Sequence, residues 1–140
     1  MNTRNAEMSD YHPVLNAMLE WWDGRDLRNK VYWGLFRHFK QTSFIVEDEK
    51  GDLVAFLLGY LSQTFQNEAY INWIGVHPEH RNKGIARMLY ERFFDVARSS
   101  GRSLVTCGTS KNNKTSMNWH KHIGFAVEEK EDEYLFYIEI

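Results

Sequence analysis

The chain has 140 residues and a formal net charge of -2, with 43% hydrophobic and 26% charged residues. That length holds one compact domain and leaves little room for a second core, so residues 1–140 read as a single domain. The composition lies near the globular average and far from the signature of disorder, and no run of Lys and Arg stands apart from the acidic residues, which argues against a broad face for nucleic acid.

Residues 1–10 carry no apolar stretch leading to a small-residue cleavage site, and no segment approaches the roughly 18 apolar residues that span a bilayer, so no membrane is expected and the cytoplasm is the expected compartment. Helical spacing begins with Val14, Leu15, Met18, Leu19 and Trp22, and Asp23 and Gly24 break it. A second helix is expected from Asp26, its candidate N-cap, through Leu27, Val31, Leu35, Phe36 and Phe39. Residues 43–47 and 53–62 read as strands joined through a Gly51 turn, and residues 69–76 as a third strand closed by Pro78. Residues 83–98 place Ile85, Met88, Leu89, Phe93, Val96 and Ala97 on one helical face, with Gly101 as the stop. A strand over 103–109, a helix over 113–123 ended by Gly124, and strands over 125–128 and 134–140 complete the order. Cys107, the only cysteine, falls in an apolar run and reads as a small buried side chain in a reducing compartment. A helix between two strands implies a parallel crossover, hence an α/β (α+β) fold with a mixed sheet and helices on both faces.

The informative stretch is INWIGVHPEHRNKGIARML, where an apolar strand ends at Val76 and Arg81, Gly84 and Ala86 open the long helix. The first N–H groups of a helix lack internal partners and lie at the positive end of its dipole, so they accept phosphate oxygens. Gly84 and Ala86 let a diphosphate approach the backbone, and Arg81 and Lys83 add positive charge. A tight strand-to-helix connection is the alternative reading of Gly84. Neither G-x-x-x-x-G-K-[ST] nor G-x-G-x-x-G occurs, which demotes nucleoside triphosphates and dinucleotides.

Val76-His77-Pro78 followed by Arg81-Asn82-Lys83-Gly84-Ile85-Ala86 resembles the acyl-CoA pyrophosphate loop of the GNAT superfamily of N-acetyltransferases, and Asn113, Ser116, His120 and Gly124-Phe125 resemble its second, Asn-led helical region. The resemblance covers nearly the whole chain, with the family's N-terminal strand only weakly marked by residues 4–8. It implies a mostly antiparallel sheet of six or seven strands with four flanking helices and a splayed strand pair that takes the pantetheine arm of acetyl-CoA. By the same resemblance, the backbone of Ile74 and Val76 bonds that arm, the Ile74 N–H is the oxyanion donor, and Arg81, Asn82, Lys83, Gly84, Ile85 and Ala86 hold the pyrophosphate.

Acyl transfer to an amine needs a neutral amine, a stabilised oxyanion and a proton for the departing thiolate. Asn113, Ser116 and His120, at i, i+3 and i+7, share one helical face. Many family members carry Tyr where His120 stands, as the proton donor to sulfur. An imidazole with a pKa of about 6.5 is competent for that task, and a hydrogen-bonded core histidine is the rival reading. The strand position of the family's catalytic carboxylate falls on Tyr70, with Glu68 and Asn72 on the same face and Glu68 the candidate base. Trp21, Trp22 and Asp23 are the candidate acceptor wall, suited to an ammonium, or else core and capping residues. His77-x-x-His80 and the pair His120 and His122 lack the partners of a metal site, and no metal is expected. The expected activity is acetyl transfer from acetyl-CoA to a primary amine of a small molecule or peptide. A CoA-binding sensor that has lost catalysis is the alternative, motivated by His120 and Tyr70. A homodimer through the apolar C-terminal strands is also expected.

Overall fold

Apolar and β-branched runs give seven strands among the described residues of this computed structural model, which are 1–23 and 25–140. They are β1 (Asn2–Asn5), β2 (Phe44–Glu47), β3 (Leu53–Leu61), β4 (Glu68–Val76), β5 (Leu104–Ser110), β6 (Ala126–Glu129) and β7 (Glu133–Glu139). One sheet holds them in the order β1-β2-β3-β4-β5-β7-β6. Only β4 and β5 pair in parallel; every other neighbouring pair is antiparallel. Four α-helices among the described residues accompany it: α1 (Tyr11–Trp21), α2 (Gly34–His38), α3 (Ile85–Ser99) and α4 (Lys114–His122). No helix among the described residues is long and apolar enough to cross a membrane.

The sheet is buried on both faces, which is why β3 reads as an almost unbroken apolar run. Phe56 and Leu58 turn toward α1 and α2, where Val14, Met18, Trp21, Leu35 and Phe36 cover them. Ala55 and Leu57 turn the other way, into a second core with Leu89, Tyr90 and Phe93 of α3. Gly59 is required by this packing, because a Cβ there would lie 2.5 Å from the Phe93 ring and 2.7 Å from the Tyr70 carbonyl oxygen. Cys107 is buried, and burial pushes its thiol up to about 12.

Two expectations are corrected. The second helix is not continuous: a 3-10 turn at Arg28–Lys30, an extended Val31, the short α2 and a 3-10 turn at Lys40–Thr42 share its apolar pattern. Val-Tyr-Trp-Gly is a weak helical sequence, and the Tyr32 ring folds onto Gly34, leaving no space for a Cβ. Asp26 accepts from the Arg28 N–H at 3.2 Å and so closes that turn instead of capping a helix. The N-terminal strand is β1, earlier than residues 4–8, because Asp10 accepts from the Glu7 N–H at 2.7 Å and grips Arg4 at 2.8 and 2.9 Å, folding Met8–Asp10 into a turn. Of the two C-terminal strands, β7 lies inside the sheet and β6 is the free edge at that end, where Lys130 pairs with Glu128 at 3.1 Å. The helix break expected at Gly24 lies outside the described residues.

Candidate active site

Strands β4 and β5 are joined over three pairs only, Glu68 with Leu104, Ala69 with Val105 and Tyr70 with Thr106. Beyond that rung β4 stays with β3 as far as Val76, while β5 stays with β7 as far as Ser110. The sheet therefore opens into a V. A bulge lies just past the rung: Gly59 faces Ile71 and Leu58 faces Trp73, leaving Asn72 as the extra residue. Ile71 and Ile74, three residues apart, consequently both pack on the α3 side, while Trp73 packs with α1 and α2. The Asn72 Oδ1 and Trp73 Nε1 atoms are buried with no hydrogen-bond partner among the described residues.

The antiparallel ladder settles which backbone groups face the opening. His77 donates its N–H to the Val54 carbonyl at 2.8 Å, so alternation turns the polar groups of Gly75 toward β3 and those of Ile74 and Val76 into the V. The Val76 carbonyl is taken by Arg81 Nε at 3.2 Å. That leaves the Ile74 N–H and C=O and the Val76 N–H directed at the opening.

At the mouth of the V, a 3-10 turn at Pro78–His80 leads to a loop in which Asn82 (φ 61°) and Gly84 (φ 81°) are left-handed. Gly84 is the N-cap of α3, no side chain caps it, and a Cβ placed there meets nothing within 4 Å. The Met88 N–H donates to the Gly84 carbonyl at 3.0 Å, so the N–H groups of Ile85, Ala86 and Arg87 have no intrahelical acceptor. Exposed Asn82 and Lys83 flank them. Open space, free donors and the positive end of a 15-residue helix suit a diphosphate. Arg81 is less free than its sequence position suggests: its Nη2 donates to the Trp21 carbonyl at 3.1 Å, tying the end of α1 to the end of β4.

On the second motif, Asn113 caps α4 by accepting from the Ser116 N–H at 3.1 Å. His120 is 4% exposed and lies flat on Phe136, with ring centroids 4.1 Å apart. Its Nδ1 lies 2.7 Å from the Ser116 carbonyl, which only accepts, so Nδ1 carries the proton and Nε2 accepts from the Tyr90 hydroxyl at 2.9 Å. Burial lowers His120 to about 4 and raises the Tyr90 phenol well above its ordinary range. The imidazole is thus neutral at pH 7, with both nitrogens engaged.

Of the expected acceptor wall, Trp21 is buried against Phe56, Trp22 is half-buried and stacks on Trp73 at 6.0 Å, and Asp23 is exposed with φ 45°. Glu68 and Tyr70 sit together at the closed end of the V. Tyr60 packs on Tyr70 at 5.5 Å and Phe39 on Tyr60 at 5.3 Å. Neither Phe39 nor Tyr60 is a candidate from sequence alone, although the β3–β4 hairpin register would have placed Tyr60 opposite Tyr70. His77 Nδ1 accepts from the Glu79 N–H at 3.1 Å and caps the 3-10 turn.

The pattern of the acetyltransferase (GNAT) family matches residues 5–125. An L-amino acid N-acyltransferase, MnaT, of Escherichia coli K12 is 29% identical over 128 residues, spanning 83% of this chain and 69% of that protein. Ard1 from Thermoplasma volcanium superimposes with a TM-score of 0.83 at 17% identity, over 99% of this chain and 97% of that one. The acetyltransferase yncA from Salmonella typhimurium, solved with its cofactor acetyl-CoA, gives 0.72 at 19% identity, over 99% and 93%.

Proposed function

The chain belongs to the acetyltransferase (GNAT) family and is an acetyl-CoA-dependent N-acetyltransferase, and from that premise we propose that it acetylates the primary amine of a small molecule bound on the α1/α2 face of the sheet. The observation that carries this reading is the V between β4 and β5, which runs from free backbone donors at Ile74 and Val76 to the uncapped start of α3. The pantetheine arm lies along β4, bonded by the Ile74 and Val76 backbone, and the pyrophosphate sits on the N–H groups of Ile85 and Ala86 within the Arg81–Gly84 loop. Such donors are pre-oriented and need no rearrangement during reaction.

In the transfer itself the amine nitrogen bonds to the thioester carbon while the Ile74 N–H holds the developing oxyanion. The tetrahedral intermediate then expels the CoA thiolate, and the proton shed by the nitrogen passes through water to that sulfur, leaving an amide and a free thiol. With a conjugate acid near 8.5, a thiolate takes its proton from water without a strong acid beside it. His120 has the support role in this reading: it fixes the Tyr90 hydroxyl and the start of α4. A small acceptor is favoured by the cavity of about 400 Å3 on that face, within the size range of small-molecule sites, and by the L-amino acid acyltransferase among its relatives.

Calorimetric titration tests the cofactor site. Acetyl-CoA and CoA are expected to bind and ATP to bind far more weakly, while Gly84→Glu, which adds charge and a side chain where the backbone is left-handed, is expected to weaken acetyl-CoA at least tenfold with the fold intact. Wild-type protein that is folded yet binds no acetyl-CoA would remove this reading.

A further inference from the structure

The cavity at the closed end of the V is lined by Phe39 at the end of α2, Tyr60 of β3, Glu68 and Tyr70 of β4, and Ser62 and Phe65 of the loop between those strands. Its aromatic wall is continuous, since Phe39 packs on Tyr60 and Tyr60 on Tyr70 as tilted ring pairs with centroids 5.3 and 5.5 Å apart. The chain's own cations leave these rings alone: among the described residues, the cation–ring contacts fall on Trp33, Phe44 and Tyr134. Glu68 accepts from the Thr106 hydroxyl at 2.7 Å through Oε2, and it takes part in no ion pair among the described residues. Its charge is felt at the rings, for burial raises the Tyr60 and Tyr70 phenols and Glu68 raises them further.

Among the described residues, no Lys, Arg or His lines the cavity. Arg102 works from behind it, donating through Nη1 to the carbonyls of Ser62, Phe65 and Glu68 at 2.7, 3.1 and 3.1 Å, which fixes the loop that forms the outer wall. Electron-rich ring faces beside one unpaired carboxylate attract an organic ammonium and repel a carboxylate.

We infer that this cavity holds a second ammonium group of the acceptor, so that the substrate is an aliphatic diamine or polyamine, acetylated at one end while its other end rests among Phe39, Tyr60, Tyr70 and Glu68. The inference rests on the acetyltransferase reading above and names its substrate class. Two groups are required by distance. Ile74, the oxyanion donor, lies four residues beyond Tyr70, roughly 10 Å of strand at about 3.3 Å per residue with the bulge allowed for. An ammonium in the cavity is therefore too far away to be the nitrogen that attacks the thioester.

The experiment compares kcat/KM for α,ω-diamines of three to eight carbons with that for the n-alkyl monoamine of each length, in wild type, Tyr60→Leu and Glu68→Gln. Long diamines are expected to exceed their monoamines at least tenfold in wild type, and that ratio is expected to fall about tenfold in either variant while acetyl-CoA affinity stays the same. Glu68→Gln keeps the shape of the side chain, so the result stands even where Tyr60→Leu folds poorly. Calorimetric titration of 1,8-diaminooctane into wild type and Glu68→Gln reads the same site without turnover, and weaker binding to the variant is the expected result. Equal use of diamine and monoamine, equal losses for both in the variants, or diamine affinity indifferent to Glu68→Gln overturns the inference. Acetyl-CoA binding alongside any of these leaves the acetyltransferase reading standing, whereas absent acetyl-CoA binding removes that reading instead.

Discussion

His120 shows how burial decides what a residue type does. Sequence places an imidazole on the helical face that the family uses for chemistry. The fold presses it onto Phe136 and holds its pKa at about 4. The unfolded chain binds a proton at about pH 6.5 that the folded chain refuses, so this residue's contribution to stability is complete above that pH and declines as pH falls toward 4. At about 1.36 kcal/mol per pH unit, the loss across that window is about 3 kcal/mol. Urea denaturation of wild type and His120→Phe at pH 7 and pH 4.5 measures it: the variant is expected to be the less stable at pH 7, since Tyr90 loses its acceptor, and the gap is expected to narrow in acid. A gap independent of pH would show that the buried neutral ring is not what the acid destabilises.

At the scale of elements, most boundaries follow from short-range chemistry and are legible in the sequence. The strands over residues 43–62 and 69–76, the long helix before Gly101 and the Asn-led helix all lie where apolar period and capping residues put them. The failures have a common cause. The segment 26–42 has helical apolar spacing, but Tyr32 lying over Gly34 and the extended Val31 break it through contacts that no period reveals. The bulge at Asn72 shifts every later side chain of β4 to the opposite face, so strand alternation counted from Tyr70 is right at Glu68 and wrong beyond Asn72. The left-handed turn at Gly84 before α3 is legible because glycine spacing is local; the Phe39–Tyr60–Tyr70 wall is not, because it joins three separate elements. Asn113 carries a local test. Its side chain is the N-cap of a nine-residue helix, so Asn113→Ala is expected to cost about 1 kcal/mol of stability, with Asn113→Asp restoring most of it, both read by thermal denaturation.

Across the whole molecule, the sheet consists of two groups of strands, β1 to β4 and β5 to β7, fastened by a three-residue rung and by the helices packed over it. Backbone amides around Ile74 and Val76 have no strand beside them on the open side, although β3 secures the other. Acetyl-CoA at 100 times its dissociation constant is expected to raise the unfolding free energy by about 2.7 kcal/mol. Hydrogen exchange followed by mass spectrometry is expected to slow most in peptides covering residues 72–88, with little change in β1 and β2. Uniform slowing over the chain would mean that the cofactor acts through global stability alone.

The bulge at Asn72 has a further consequence for how tolerant this site is of change. A strand of regular pleat can be shortened or lengthened by two residues and keep its faces, but here the chain swaps faces once between the α1/α2 side and the α3 side. Any single-residue insertion or deletion between Tyr70 and Ile74 is therefore expected to exchange the faces on which the later side chains of β4 lie. The spacing of those five positions is therefore a ruler that sets which core each later side chain of β4 enters.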